Sequence, residues 1–279
     1  MTLIELFILG AAGLFAGVLA GFLGIGGGTV LVPLLLTLGC EPVQAVATSA
    51  LSIVITASSG TIQNWRMGYL NFQQVLGIGL PALLTAQLGA FLADKFPEHL
   101  LLVAFGLLLL LNIYLVEVRK RITAKKKIEE EARENLEEPP QDLQNREDAR
   151  STVNKNRDII SRIATGSAAG LLAGLFGVGG GVIMVPLQIL LLDETIKRAI
   201  QTSLGVIVIT AISATGGHAI RGNVLWEYGL ILGFGGLLGA QFSTRFLPKL
   251  PDKVVSLAFR GLLAFLSVYI FWEAWVSSN

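Results

Sequence analysis

The chain has 279 residues, of which 53% are hydrophobic and 15% are charged. Of its 41 Lys, Arg, Asp and Glu residues, 21 lie between Arg119 and Asp158. This distribution excludes an ordinary soluble domain and indicates a membrane protein with one solvated segment. The single cysteine, Cys40, excludes an intrachain disulfide framework and a cysteine-cluster metal site.

Eight apolar segments follow one another, and six of them have roughly the 20 residues that a membrane-spanning helix needs. In the first half they cover about 3–39, 43–65, 69–93 and 97–118, and in the second about 163–192, 199–220, 224–247 and 254–276. The first segment of each half is too long for one span and contains a run of glycines. Because Glu5 stands where a signal peptide would have basic residues, we interpret the first segment as mature transmembrane structure.

The two halves are copies of each other. The stretch GFLGIGGGTVLVP, from Gly21 to Pro33, aligns with GLFGVGGGVIMVP, from Gly174 to Pro186, with seven of thirteen positions identical. Upstream of it, glycines spaced by four residues recur in both copies: Gly13, Gly17 and Gly21, then Gly166, Gly170 and Gly174. A shared motif with matching flanks predicts two homologous halves, each of four segments.

The charged linker, residues 119–160, predicts the orientation of the protein. Arg and Lys crowd both of its ends, which predicts that the linker is cytoplasmic. Four crossings per half would put the N-terminus on the same side and make the repeats parallel, whereas a re-entrant glycine run would make them inverted. The pairs Lys125/Glu129, Lys126/Glu130 and Lys127/Glu131 favour a short solvated helix, which we interpret as a tether.

The glycine runs predict unwound backbone rather than a nucleotide site. Neither is followed by Gly-Lys-Ser/Thr, and Thr29 and Val182 stand where GxGxxG requires glycine. Three consecutive glycines free the backbone to unwind, and the later Pro33 removes a helical hydrogen bond. A half-helix that begins after the glycines would aim free N–H groups at a buried cavity and favour an anion. A purely structural break is the alternative.

Matching polar residues inside the segments are the other candidates. Hydroxyls of the Thr-Ser pairs at 48–49 and 202–203 could bind an oxyanion or bond to their own helix backbone. The amides of Gln87 and Gln241 suit interhelical hydrogen bonds. His218 aligns with Asn64 and is the best candidate for proton handling, although anchoring at the membrane interface is the alternative. No catalytic constellation is present in the sequence, so we expect no enzyme.

The duplicated G-x-x-G-h-G-G-G motif, where h is apolar, with its closing Val-Pro and the following Thr-Ser pair, resembles the TauE/SafE group of anion permeases. This group is the sulfite exporter family, also called TSUP. The resemblance covers both halves and implies a cytoplasmic membrane protein that exports sulfite, sulfonates or related small organosulfur anions, coupled to protons. Thiosulfate permeases of the broader clan use cysteines along the path, and with Cys40 alone we expect no such relay here.

We therefore predict an all-α integral membrane protein of about eight transmembrane helices, with the first helix of each half broken at the glycine motif. Its parts are an N-terminal repeat (1–118), a cytoplasmic linker (119–160) and a C-terminal repeat (161–279). We predict a secondary transporter with a central anion site that works by alternating access. An anion channel, or less favoured a membrane assembly subunit, is the alternative. The expected partners are a small sulfur oxyanion, protons and the bilayer. We expect no nucleic acid, cofactor or metal, and leave oligomerisation open.

The predicted site residues fall into three groups. The substrate-binding group is Gly24, Gly26, Gly27, Gly28, Thr29, Thr48, Ser49, Gly177, Gly179, Gly180, Gly181, Thr202 and Ser203. The group for charge or proton handling is Asn64, Arg66, His218 and Arg221. The supporting group is Pro33, Pro186, Gln87 and Gln241.

Overall fold

The computed structural model describes residues 3–97, 100–111, 114 and 144–277. The described residues form helices joined by short turns, with no strand among them. The first repeat contains α1 (Leu3–Leu23), α2 (Gly28–Thr37), α3 (Pro42–Arg66), α4 (Phe72–Ala93) and α5 (Leu100–Leu111). The second contains α6 (Gln144–Phe176), α7 (Gly181–Leu191), α8 (Ile196–Ile220), α9 (Trp226–Phe246) and α10 (Asp252–Ser277).

The predicted all-helical membrane fold is confirmed. Seven of these helices are long and apolar enough to cross a bilayer. The helix α5 is the described part of the fourth apolar segment, which completes the eight predicted segments. Two short helices, α2 and α7, follow the glycine motifs and have only 10 and 11 residues. Each half therefore has four main helices and one short one.

The glycine motif breaks the first helix of each repeat, as predicted. Gly24, Gly26 and Gly27 have φ values of 67°, 76° and 82°, in the left-handed region that other residues avoid. The equivalent Gly177, Gly179 and Gly180 have φ values of 64°, 72° and 76°. Pro33 and Pro186 lie inside α2 and α7, past each break. Glycine therefore makes the break, and proline does not.

The two repeats are interlocked rather than set side by side. The first helix of each repeat packs along the fourth helix of the other, α1 on α9 and α6 on α4. A Cβ on Gly13 or Gly17 would touch the backbone carbonyl of Leu232 or Gly236. The glycine ladder of α6 meets the carbonyls of Ile78, Ala82 and Ala86 on α4 in the same way. The ladders let helix backbones approach closely, as small residues do between membrane helices.

Contacts along the helices also give their relative directions. The α1 ladder meets α9 at increasing residue numbers on both helices, so these two helices are parallel. On α3, Leu51 and Ile55 meet Gly229 and Gly233 of α9, so α3 points the same way. The corresponding contacts make α4, α6 and α8 parallel to one another.

The central helices α3 and α8 run antiparallel. Gly60 of α3 lies beside Leu204 of α8, and Asn64, one turn later on α3, reaches back to the carbonyl of Gln201. Since α3 and α8 are copies of each other, the repeats are inverted, and their pseudo-twofold axis lies in the membrane plane. The start of α1 and the linker end of α6 are therefore on opposite faces. Of the two orientations left open by the sequence, the inverted one holds.

The linker is described only in part. Residues 144–160 continue into the transmembrane part of α6 as one helix. The helix predicted around residues 125–131 lies outside the described residues. The boundaries proposed for the linker therefore stay a prediction.

Candidate functional site

The two glycine breaks meet at the centre of the molecule, between α3 and α8. Gly28, the first residue of α2, lies against the carbonyl of Gly177, and Gly181, the first residue of α7, lies against the carbonyl of Gly24. Residues 23–29 and 176–183 are all buried. The motifs from the two repeats thus form one buried unit.

Two isoleucines form the apolar wall of this unit. A Cβ built on Gly26 would lie 3.2 Å from Cγ2 of both Ile53 and Ile207, and one on Gly179 would lie 3.2 and 2.9 Å from the same two atoms. Ile53 and Ile207 are equivalent residues of α3 and α8 and form a buried cluster with Ala57 and Ala211. Water is therefore excluded from the place where the two breaks meet, which strengthens electrostatic interactions there.

The starts of α2 and α7 are left without caps. Their N-cap residues are Gly27 and Gly180, which have no side chain to accept a hydrogen bond from the first turn. The first turn of a helix has N–H groups without an intrahelical acceptor and carries the positive end of the helix dipole. Two such ends, buried and adjacent, are a suitable environment for an anion.

One side chain at this centre is also unpartnered. Thr29, in the first turn of α2, is fully buried, and its Oγ1 has no hydrogen-bond partner in the structure. Buried hydroxyls are nearly always paired, so an unpaired one at this position is a candidate donor to a bound ligand. The equivalent residue of α7 is Val182, which is also fully buried. Thr29 therefore gives the centre one hydroxyl, on the side of the first repeat.

The serines of the two Thr-Ser pairs hold the opposite repeat's break in place. Ser49 Oγ lies 2.7 Å from the carbonyl oxygen of Gly177 and 2.9 Å from that of Val46. Ser203 Oγ lies 2.8 Å from the carbonyl oxygens of both Gly24 and Ile200. Each hydroxyl thus joins its own helix to the first residue of the other repeat's unwound segment.

Comparisons with known proteins identify the family. The family model described as sulfite exporter TauE/SafE matches residues 9–270. The chain belongs to the TauE/SafE family. It is 28% identical over 278 residues to a Bacillus subtilis protein named probable membrane transporter protein YunE, covering 95% of this chain and 97% of that one. It is 26% identical over 281 residues to a probable membrane transporter protein of Xylella fastidiosa, covering 99% of both chains. No solved structure matches.

The threonines of the pairs in this TauE/SafE protein have other surroundings. Thr48 Oγ1 accepts a hydrogen bond of 3.0 Å from the backbone N–H of Leu225, at the start of α9. Thr202 is buried on α8 beside Ser203. Thr48 therefore contacts the neighbouring helix α9, whereas Ser49 contacts the break.

The predicted charged and titratable residues lie away from the glycine centre. Asn64 and His218 are fully buried, 11 residues beyond Ile53 and Ile207 on their helices, or about 16 Å along the axis. His218 Nε2 lies 3.0 Å from the carbonyl oxygen of Gly174, and its Nδ1 has no partner. The structure therefore does not place His218 at the centre, but against the end of α6.

The two predicted arginines also lie outside the centre. Arg66 is exposed at the end of α3. Arg221 Nε lies 2.8 Å from Oδ2 of Asp94, and its Nη1 donates to the carbonyl of Gly217 at 2.6 Å. Asn223 Nδ2 donates to the other Asp94 oxygen at 2.7 Å. Arg221 is thus paired with a carboxylate, and the centre takes its positive potential from helix ends.

The two glutamines make interhelical hydrogen bonds, as predicted. Gln87 Nε2 donates to the carbonyl of Ser213 at 2.6 Å, and Gln241 Nε2 donates to Oε1 of Gln63 at 2.8 Å. Ser59 adds a bond of 3.1 Å to Gln241 Oε1. These bonds join α4 to α8 and α9 to α3.

Sequence reasoning missed some residues that shape the site. Ile53 and Ile207 are identical residues at equivalent positions of the two repeats, and this identity is the sequence feature that could have pointed to them. Thr210 also contributes, since its Oγ1 lies 3.0 Å from the carbonyl of Gly179. Asp94 had no signal, because Pro248 occupies its equivalent position. In the described part of the chain, no group of three His, Cys, Asp or Glu is placed to hold a metal ion.

Proposed function

We propose that this membrane transporter of the TauE/SafE type is a secondary exporter of a small organosulfur anion, sulfite or a sulfonate. The proposal includes alternating access and coupling to protons. The observation that carries it is the meeting of two uncapped helix starts, Gly28 of α2 and Gly181 of α7, inside one buried unit.

The chemistry of this unit favours a small oxyanion. Backbone N–H groups of the two first turns are donors without a charge of their own, and the two helix ends add positive potential. Sulfur oxyanions present several acceptor oxygens that can bond to such donors. The Thr29 hydroxyl adds a donor, and Ile53 and Ile207 exclude water.

The inverted repeats support alternating access. In transporters built from inverted repeats, each repeat can adopt the conformation of the other, which exchanges an inward-open site for an outward-open one. Here the breaks are buried on both sides, and Ser49 and Ser203 tie each break to the opposite repeat. We assign this arrangement to a closed state between the two open ones.

The rival functions are a channel, and less favoured a non-transport assembly subunit. Relatives over nearly the whole chain are named probable membrane transporters, which supports transport and gives no support to catalysis. A channel would share the site but conduct without saturation and without counterflow. The buried, water-excluding wall of Ile53 and Ile207 favours a carrier.

We place the protein in the cytoplasmic membrane with the linker in the cytoplasm, because basic residues flank both linker ends. The inverted repeats then put the start of α1 outside. The helix α9 is parallel to α1 and therefore runs from the outer face to the inner face. The next helix, α10, crosses in the opposite direction, so its C-terminal end lies at the outer face.

Purified protein in liposomes tests the proposal. Radiolabelled sulfite, sulfoacetate and sulfate are offered to vesicles preloaded with unlabelled anion, and saturable counterflow of sulfite or sulfoacetate is expected. A linear, unsaturable flux would instead indicate a channel, and no flux of any of the three anions would overturn the proposed substrate class.

The variant Thr29→Val connects the flux to the site. Valine is the residue at the equivalent position of the other repeat, Val182, so the substitution keeps the shape of the side chain and removes the unpartnered hydroxyl. Loss of a hydrogen bond to a charged group costs about 1.5–3 kcal/mol, so the half-saturating anion concentration should rise about tenfold or more. An unchanged concentration would remove Thr29 from the site.

A further inference from the structure

We propose that His218 binds the coupled proton, and that its protonation moves the ring together with the end of α6 that leads into the second glycine break. This inference rests on the proposed function, because it assigns a residue to the coupling of an anion transporter. The proton would arrive from water at the face where α1 begins and α10 ends, and bind Nδ1. It would leave toward the linker face after the repeats exchange conformation.

The first support is the position of His218 relative to the break. Its Nε2 lies 3.0 Å from the carbonyl oxygen of Gly174, in the last turn of α6. Three residues later, Gly177 begins the unwound segment whose carbonyls contact Ser49 and Gly28. Motion at the Gly174 carbonyl is therefore transmitted within one helical turn to the place where the two breaks meet.

The second support is the hydrogen-bond inventory of the ring. A neutral imidazole with its hydrogen on Nε2 donates to Gly174 and leaves Nδ1 as an acceptor. A protonated ring would have a second N–H at Nδ1, and that atom is buried without a partner. This closed arrangement thus fits the neutral form. Protonation would favour a conformation in which Nδ1–H gains a partner or reaches water.

The charged groups around the ring supply a route from water. On α8 itself, Arg221 follows His218 by three residues, and the carboxylate of Asp94, at the end of α4, pairs with Arg221 and is close enough to interact electrostatically with the ring. The side chains of Arg221 and Asp94 are 29% and 25% exposed, so this pair connects buried His218 to the aqueous face. From α6, the hydrogen-bond partner of the ring among the described residues is the Gly174 carbonyl.

The third support is the asymmetry between the repeats. The residue equivalent to His218 is Asn64, which is equally buried but does not titrate. Asp94 and Arg221 are equivalent to Pro248 and Met67, so the first repeat lacks the ion pair as well. His218 and the ion pair beside it therefore occur in the second repeat and at its interface with α4 only, which places the proposed proton site near one face of the molecule.

The direct test replaces His218 with the residue of the other repeat. His218→Asn keeps an N–H donor for Gly174 and removes the titratable group. Wild-type vesicles loaded with sulfite should show efflux accelerated by an acidic exterior, with the membrane potential clamped. In His218→Asn that acceleration should vanish, whereas counterflow at equal pH on both sides should persist.

One control variant and one spectrum of a second variant complete the test. Thr215→Val removes another buried, unpartnered hydroxyl of α8 and should leave the pH response intact. If His218→Asn fails to fold, nuclear magnetic resonance of histidine-labelled His99→Gln protein, which retains one histidine, should show His218 titrating differently with and without sulfite. A pH response retained in His218→Asn, or a His218 signal that sulfite does not alter, would overturn the inference.

The outcomes also separate this inference from the proposed function. Saturable counterflow without any pH response in the wild type would leave an anion carrier and overturn the role of His218. Absence of counterflow in the wild type would overturn the transport proposal itself.

Discussion

The hydroxyl of Ser49 lies 2.7 Å from the carbonyl oxygen of Gly177, across the boundary between the two repeats. The reciprocal contact joins Ser203 to Gly24 at 2.8 Å. In an intact helix these carbonyls would accept a bond from an N–H four residues later, but the left-handed glycines remove that donor. The serines supply the missing donors, so each repeat maintains the break of the other.

Removing these hydroxyls should destabilise the breaks. Ser49→Ala leaves the buried Gly177 carbonyl unpaired, at a cost of about 1–3 kcal/mol, and Ser203→Ala should act alike. We expect lower thermal stability in detergent and slower sulfite counterflow, with a larger effect in the double variant. The control is Ser267→Ala, because buried Ser267 donates at 2.7 Å to the carbonyl of Leu263 within its own helix. Equal losses in all three single variants would contradict the assigned role.

The contact between the breaks should not tolerate a methyl group. A Cβ on Gly28 would meet the Gly177 carbonyl, and it would also lie 2.6 Å from Ile53 Cδ1. Overpacking of this kind costs about 1–3 kcal/mol, and Gly28→Ala should lose counterflow while the protein still inserts in membranes. Gly261→Ala, in a helical position with open space, is the control. Normal counterflow in Gly28→Ala would show that the two breaks need not touch.

The glycine ladder of α1 should also be sensitive to an added methyl group, because it packs against the backbone of α9. Gly17→Ala would push α1 away from the backbone of Gly236 on α9, so stability should fall by about 1–3 kcal/mol. Gly10 is on the same helix with nothing near its Cβ position, and Gly10→Ala should leave stability unchanged or slightly higher. Thermal unfolding of the two variants in one detergent measures the difference, and equal melting temperatures would argue against the α1–α9 contact.

The inverted arrangement can be tested in cells. Leu38 and Leu191 are equivalent residues at the ends of α2 and α7, and they are 38% and 40% exposed. In a Cys40→Ser background, Leu38→Cys should react with a membrane-impermeant maleimide in intact cells. Leu191→Cys should react only after permeabilisation, because inverted repeats place equivalent residues on opposite faces. Labelling of both from one side would indicate parallel repeats.

Much of the fold follows from sequence because the motif occurs twice. A single run of glycines is ambiguous, but two matched runs predicted both breaks. The four-residue spacing of Gly13 and Gly17 is also visible in the sequence and puts both on one face of α1. The partner of that face was not predictable, since periodicity reports which residues of a helix are small and not which helix they meet. The inverted arrangement likewise depended on contacts such as Asn64 with Gln201, between residues 137 positions apart.

The residues of the candidate site could be proposed from sequence, but their arrangement could be proposed only in part. Gly24 to Thr29 and their copies do come together, whereas Arg221 pairs with Asp94 at one face. Arg221 was predicted to handle charge because it follows His218 near the end of a helix, but the length of α8 separates that end from the glycine breaks. Ser49 could have bonded to its own helix or to a substrate. Its contact with Gly177 depends on how the second repeat packs, which no local pattern encodes.

The central claim is that the meeting point of the two glycine breaks is the anion site. Selenite, the selenium analogue of sulfite, makes this testable, because selenium gives an anomalous X-ray signal. In crystals grown with selenite we expect a selenium peak within hydrogen-bond reach of the first-turn amides of α2 and α7, next to Thr29. A selenium peak elsewhere along the path, with none between Gly28 and Gly181, would contradict the claim.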